Sequence, residues 1–371
     1  MRFRGILLIL TILFLAHWFV FQTWLVFREA SRPASGAGAV LVVAILSASF
    51  VVATVLAHRY ANAAVRLFYQ AMSVWLGVLN FLVLAACGCW LTLLVARLAG
   101  WPLGRPGIAA AMYALALVAS LYGVINASLV RVKRIRVRLP DLPGSWRGRV
   151  AALVSDVHLG HVKGDGFSRH IVTLLRDLKP DVLFITGDFY DGSKVDQDAL
   201  ALPWKELAPP LGAYFVSGNH EEYTGPAKFR EAIARSGIRV LNNEKVSVDG
   251  LQIVGVHYRD LANPARFREI LGEARIDRSR ASILLAHAPH GLAIAEAGGV
   301  SLQLSGHTHG GQIFPFTWFT TRIFGEYTYG LKRFGELLVY TSSGAGTWGP
   351  PMRVGTAPEV VVIEFEGDEK T

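Results

Sequence analysis

Val150-Ala-Ala-Leu-Val-Ser-Asp-Val-His-Leu-Gly160 opens as a short apolar run and ends in an aspartate and a histidine. A run of this length, closed by turn-forming residues, is the pattern of a strand buried on both faces. The same pattern returns four times downstream. Val182–Thr186 leads into Gly187-Asp188-Phe189-Tyr190-Asp191-Gly192, and Ala213–Ser217 into Gly218-Asn219-His220-Glu221. Ile283–Ala286 leads into His287-Ala288-Pro289-His290, and Leu302–Ser305 into Gly306-His307-Thr308-His309-Gly310-Gly311. Helical stretches such as Arg169–Leu178 and Ala227–Ser236 separate the runs, so the region reads as an α/β sheet. Ligands in such sheets collect beyond the carboxyl ends of the strands, which brings all five polar endings to one edge.

The donors gathered there are Asp156, His158, Asp188, Asn219, His287, His307 and His309. Seven oxygen and nitrogen donors exceed the needs of one tetrahedral zinc and suit two metals that share a carboxylate. Two dications about 3.5–4 Å apart clamp an in-line displacement at phosphorus and supply hydroxide at neutral pH. A lone histidine in a core is ordinarily structural; five separate strands ending in such donors argue for a site. Manganese, iron and zinc all accept this donor set, so the residue types do not choose among them.

These elements resemble the calcineurin-like metallophosphoesterase superfamily over about residues 148–365, in the expected order and spacing. The resemblance is closest to its membrane-anchored phosphodiesterase branch, which includes enzymes similar to UDP-2,3-diacylglucosamine diphosphatase. It implies a four-layer α/β/β/α sandwich with the metals at the upper edge of two packed sheets. It also implies that Asp156, His158, Asp188 and His309 hold the first metal, and Asp188, Asn219, His287 and His307 the second, with Asp188 bridging. By the same resemblance His220 stays off the metals as proton donor to the leaving oxygen, and Asp191 orients it. Glu221 reads as a cap or a support behind the ligands. His161 and His290, just beyond the motifs, are lesser candidates for touching substrate. His170 and His257 read as structural or surface residues.

Outward from this region the composition changes. The 371 residues are 52% hydrophobic and 18% charged, against about a quarter charged in an ordinary soluble domain. Stretches of 23, 26, 30 and 25 residues without Asp, Glu, Lys or Arg lie between Arg4 and Arg28, Arg32 and Arg59, Arg66 and Arg97, and Arg105 and Arg131. Crossing a hydrocarbon core takes roughly 20 apolar residues, and these stretches are apolar all round rather than striped. Four transmembrane helices are expected near 5–27, 36–57, 71–95 and 107–127. The first stretch is too long for the apolar part of a signal peptide and is followed by three more. His17, Asn80 and Asn126 are polar points within the spans, read as interfacial residues or interhelical hydrogen bonds. Cys87 and Cys89, the only cysteines, offer neither a disulfide framework nor a thiolate metal site.

The net charge of +9 is unevenly spread: +7 over 1–127, +6 over 128–149 and −4 over 150–371. The catalytic half is thus mildly acidic, and no nucleic-acid partner is expected. The basic run Arg131, Lys133, Arg134, Arg136 and Arg138 reads as a juxtamembrane segment facing anionic headgroups. Expected domains are a four-span region over 1–130, a basic linker over 131–147 and a phosphoesterase domain over 148–371. An even span count places Arg2, Arg4, Arg59, Arg66 and the basic run on one side, and Arg28, Arg32, Arg97 and Arg105 on the other. The heavier side is the cytoplasmic one, which makes the catalytic domain cytoplasmic on a cell inner membrane. Ile313 to Tyr329 is rich in aromatics, which either pack between the sheets or stand exposed towards lipid. The expected function is hydrolysis of a phosphodiester or pyrophosphate bond in a lipid or lipid-linked substrate, with two divalent metal ions as cofactors. The alternative is a transporter or sensor with a regulatory phosphoesterase domain.

Overall fold

The computed structural model describes residues 3–29, 36–222 and 226–367. Arg2 and Arg32 of the charge count lie outside the described residues. The chain divides into two compact units, 1–125 with 349–352, and 126–348 with 353–371.

The first unit is built from α1 (Phe3–Phe27), α2 (Ala37–Arg59), α3 (Ala63–Leu98) and α4 (Arg105–Ser128), with α4 running three residues into the second. All four are long and apolar enough to cross a membrane. The shortest has 23 residues, about 35 Å at 1.5 Å per residue, against a hydrocarbon core of about 30 Å. Their outward side chains, among them Leu8, Leu41, Leu91 and Leu115, are exposed leucines, as lipid-facing surfaces require. His17 answers to the interhelical reading. Its Nδ1 lies 2.8 Å from the Leu13 carbonyl, and its Nε2 accepts from Nε1 of Trp75 on α3 at 2.9 Å. Ser47 on α2 also reaches its Nδ1, at 3.3 Å.

The second unit contains twelve strands among the described residues: β1 (Arg131–Leu139), β2 (Val150–Val154), β3 (Val182–Thr186), β4 (Ala213–Val216), β5 (Arg239–Val240), β6 (Glu244–Val248), β7 (Leu251–Gly255), β8 (Ser282–Leu285), β9 (Leu302–Ser305), β10 (Gly330–Phe334), β11 (Leu337–Thr341) and β12 (Glu359–Gly367). They form two six-stranded sheets, ordered β1-β12-β2-β3-β4-β5 and β10-β11-β9-β8-β7-β6. The strands β2 to β5 are parallel in the first sheet, and β11, β9, β8 and β7 in the second. The helices are α5 (Asp165–Leu178), α6 (Gln197–Ala201), α7 (Pro226–Arg235), α8 (Tyr258–Leu261), α9 (Pro264–Ala274), α10 (Leu292–Ala297) and α11 (Phe316–Phe324).

Leu153, Phe184, Val216, Ile253, Ile283, Leu304 and Ile363 meet between the sheets. Ile171 and Leu175 of α5 and Phe229 and Ile233 of α7 cover the outer face of the first sheet, against Ala152, Val154 and Ile185. Phe267, Ile270 and Leu271 of α9 and Ala295 of α10 cover the second, against Val254 and Leu284. The layers are therefore α/β/β/α, as the resemblance implied.

Two sequence readings change here. The basic linker expected over 131–147 is largely β1, the outer strand of the first sheet, paired in parallel with β12. Its alternation of cations with Ile135, Val137 and Leu139 has period two, which turns the apolar residues inward and the arginines outward. Arg134, Arg136 and Arg138 then face Glu364 and Glu366 of β12 at 3.2–3.8 Å. Exposed pairs of this kind are worth about 0–1 kcal/mol each, and the two carboxylates offset only part of the five-cation run. Of the two readings of Asn126, interfacial position and interhelical bond, it is the bond that gives way. The Asn126 Nδ2 donates to the carbonyls of Arg353 and Thr356 at 3.0 and 2.8 Å, and its Oδ1 accepts from Arg131.

Candidate metal centre

The loops leaving β2, β3 and β4 in one sheet, and β8 and β9 in the other, converge at one edge of the sandwich. Main-chain bonds tie them as they leave. The Asp156 N–H donates to the Gly187 carbonyl at 3.1 Å, and that of His158 to the Asp188 carbonyl at 3.0 Å. Asp156, His158, Asp188, His307 and His309 all adopt left-handed backbone, with φ of 50–69°. For residues other than glycine this costs roughly 1–3 kcal/mol each, and it aims successive side chains at a single point. Motif glycines allow the close approach. A Cβ on Gly218 would overlap the Asp188 carboxylate, and one on Gly306 would overlap Ser155 and Asp156.

All seven expected donors are brought together. The Nε2 atoms of His158 and His309 are 3.0 Å apart. Asp156 Oδ1 lies 3.4 Å from His309 Nε2 and 4.0 Å from His158 Nε2. On the other side His287 Nε2 lies 3.1 Å from Asn219 Oδ1 and 3.1 Å from His307 Nδ1. Asp188 stands between the two clusters, with Oδ2 3.7 Å from His158 Nε2 and 3.3 Å from His287 Nε2. Donor atoms of Asp156, His158 and His309 lie within 4.8 Å of one another, as do those of Asp188, His287 and His307, and a third group of His158, Asp188 and His220 joins the two.

Burial holds the His158 and His309 rings well below the usual histidine range, and it brings His307 down to about 3. His287 behaves oppositely. Burial lowers it, but the Asp188 and Asp156 carboxylates prevail and raise it to about 10. Desolvation lifts Asp156 to about 6; Asp188 is desolvated too, yet His287 and His220 hold it well below the carboxylate range. Neutral imidazoles whose Nε2 atoms converge to 3.0 Å, beside carboxylates that favour positive charge, fit divalent cations. Two clusters with one shared carboxylate fit two of them.

His220 is 5% exposed, and its Nε2 points to Asp188 Oδ2 at 4.0 Å. Its Nδ1 is held by Asp191 at 2.8 Å, as the resemblance implied, but through the main-chain carbonyl. The Asp191 carboxylate accepts instead from N and Oγ of Ser193 and fixes the turn. A carbonyl has no proton to give, so Nδ1 carries one and Nε2 is left to face the centre. Glu221 is the support that the motif suggested. Fully buried, its carboxylate accepts the N–H groups of Asp188, Tyr190 and Gly218 at 2.7–3.1 Å, bracing two of the converging loops.

His290 is at the exposed rim, 5.4 Å from Phe324, while His161 is buried within electrostatic reach of Asp191. His257 caps α8 and pairs with Glu222 at 3.1 Å, and His170 is exposed on α5. Three residues escaped the sequence reading. Tyr258 lays its ring 5.5 Å from His287, and Trp348 stands 6.2 Å from His220. Arg353, fully buried, donates to the carbonyls of His309, Ser343 and Gly346 at 2.6–2.9 Å and brings NH2 to 3.2 Å from His309 Nδ1. Its signal was a single cation in the small-residue and proline segment 344–355.

Comparison with known proteins bears on the domain that carries these residues. The family described as calcineurin-like phosphoesterase matches residues 150–311. A transmembrane protein with metallophosphoesterase domain from Danio rerio is 33% identical over 264 residues, 66% of this chain and 60% of that protein. The Bos taurus protein of the same name is 32% identical over 269 residues, again 66% of this chain and 60% of its own length. An uncharacterised metallophosphoesterase from Aquifex aeolicus is 33% identical over 260 residues, 68% of this chain and 98% of that protein.

Proposed function

The chain belongs to the calcineurin-like metallophosphoesterase family, and from that premise we propose that it is a membrane-anchored dinuclear-metal hydrolase of phosphodiester or pyrophosphate bonds in lipid-linked substrates. The observation that carries this reading is the meeting of two buried carboxylates and four imidazoles, delivered by strands of two different sheets, with Asp188 shared. Asp156, His158, Asp188 and His309 would hold one cation, and Asp188, Asn219, His287 and His307 the other. Manganese, iron or zinc there would neutralise the phosphoryl oxygens and lower the pKa of an attacking water.

The protein's own groups do the rest. The buried loops keep the donors in place before substrate arrives, so little reorganisation is needed as charge develops on phosphorus. His220, with Nδ1–H fixed on the Asp191 carbonyl, presents Nε2 to the centre and, when protonated there, donates to the leaving oxygen. Glu221 and Arg353, both fully buried, hold Asp188 and His309 through main-chain and ring contacts.

The four apolar helices supply the anchor. Their even number puts both ends of the helical region on one side, and the cation count in the flanks favours the cytoplasmic face of the inner membrane for the catalytic domain. A lipid-linked phosphodiester or pyrophosphate, of the kind represented by UDP-2,3-diacylglucosamine, is the substrate class that suits a tethered centre. The test is hydrolysis of bis-p-nitrophenyl phosphate by the purified full chain, after chelation and again with added manganese, followed by profiling on lipid-linked pyrophosphates and phospholipids. Metal-dependent turnover is expected. A protein that binds metal but turns over no phosphoester would end the hydrolase reading.

A further inference from the structure

The helix α11 is inside out. Soluble helices turn an apolar stripe to the core and polar residues to water. Along α11 the half-buried stripe is Thr317, Thr320 and Phe324, with Thr317 lying over Gly311 and Gly355. Phe316, Trp318, Phe319 and Ile323 face outward, 49–73% exposed, and Phe314 just before the helix is 50% exposed. Nothing in this helix is buried. The alternative that these aromatics pack between the sheets is thereby set aside; of the segment 313–329 only Ile313 and Thr328 are buried.

The cations beside this surface have aromatic partners. The Arg322 guanidinium lies 4.6 Å from the Trp318 ring centroid, and Lys133 Nζ lies 4.2 Å from that of Tyr329. No acidic residue lies between Phe314 and Gly325. Tryptophan, phenylalanine and arginine together are the chemistry of a helix lying in the headgroup layer of an anionic bilayer. The same chain carries four helices able to span a bilayer, which tether it to such a surface. The inner end of α11 touches the centre: the Phe324 ring stands edge-on to His307 at 6.2 Å.

We infer that α11 and its exposed aromatics dock into the headgroup layer of the anionic bilayer in which the chain is anchored, presenting the metal centre to phosphoesters held in that layer. The contact stands on the surface itself; only the identity of what is hydrolysed rests on the lipid-linked reading above.

The test uses the full chain in nanodiscs of phosphatidylcholine and phosphatidylglycerol. Cys87→Ala and Cys89→Ala remove the only cysteines, and a nitroxide is placed at W318C or, as a water-facing control, at E336C, whose native side chain is 95% exposed. The label at 318 is expected to collide with oxygen more than with a water-soluble nickel chelate, and the label at 336 to do the reverse. A label at 318 as open to nickel as the control would overturn the inference. So would a label shielded from both reagents and broadened by a second spin, since a second copy would then cover the helix. In F316S/F319S, turnover of a vesicle-embedded phosphodiester should fall about tenfold relative to bis-p-nitrophenyl phosphate, and an unchanged ratio would refute the role in presenting substrate. If no phosphoester is hydrolysed at all, the lipid-linked reading fails while the depth measurement still decides where α11 lies.

Discussion

His17 in the helical region and His158 in the sandwich are both buried histidines, and they differ in what their nitrogens meet. His17 lies between the Leu13 carbonyl and the Trp75 indole N–H, so one neutral tautomer satisfies both ends of the ring. His158 points Nε2 at Nε2 of His309 from 3.0 Å, with two carboxylates close behind. One Nε2–H can bridge that pair, but His158 Nδ1 is then left buried with no hydrogen-bond partner among the described residues, and burial opposes charging either ring. The difference teaches what separates a structural histidine from a ligand. The first completes its hydrogen bonds inside the protein; the second, the candidate ligand, keeps a buried ring nitrogen unpaired beside two carboxylates.

Removing the shared acceptor should break the comparison most severely. For D188A we expect bound metal to fall from about two per chain to below one, and phosphodiester turnover to drop by about 10⁴-fold or more. Elemental analysis with the same assay checks this, and full metal occupancy would disprove the bridge. H220A should lower kcat by about 10²–10⁴ with metal content unchanged, if the ring is the proton donor proposed above. A metal-free H220A protein would make His220 a ligand. Next comes E221Q, which replaces one acceptor oxygen by a donor opposite three main-chain N–H groups. It should cost about 1–3 kcal/mol of stability, read as a lower melting temperature, with a smaller loss of kcat than H220A. The smallest effect is expected for H17F. It removes an interhelical bond worth about 1 kcal/mol and should leave turnover of a soluble substrate within twofold. A large activity loss there would mean that the helical region takes part in the chemistry.

Much of the centre was legible because its donors follow directly on short apolar runs. Asp156, Asp188, Asn219, His287, His307 and His309 are each placed by the strand that precedes them, and strand ends of an α/β fold share an edge. Asp191 was read correctly as a neighbour of His220 but with the wrong group, because a sequence names side chains and says nothing of which main-chain carbonyl turns inward. Strand β1 is hard to see in the sequence because the net charge of its arginines masks their period-two alternation with Ile135, Val137 and Leu139. Arg353 lies 44 residues from His309, beyond any local pattern.

By itself the sequence determined the four apolar helices, the α/β character of the rest and the seven converging donors, because local periodicity and strand-terminal position decide all three. Only the tertiary structure decided that β1 joins the sheet, that Arg353 braces His309, and that α11 turns its aromatics outward. Those outcomes depend on which surfaces meet across long stretches of chain. Burial, charge matching and main-chain hydrogen bonding are properties of the assembled surfaces and not of any one segment.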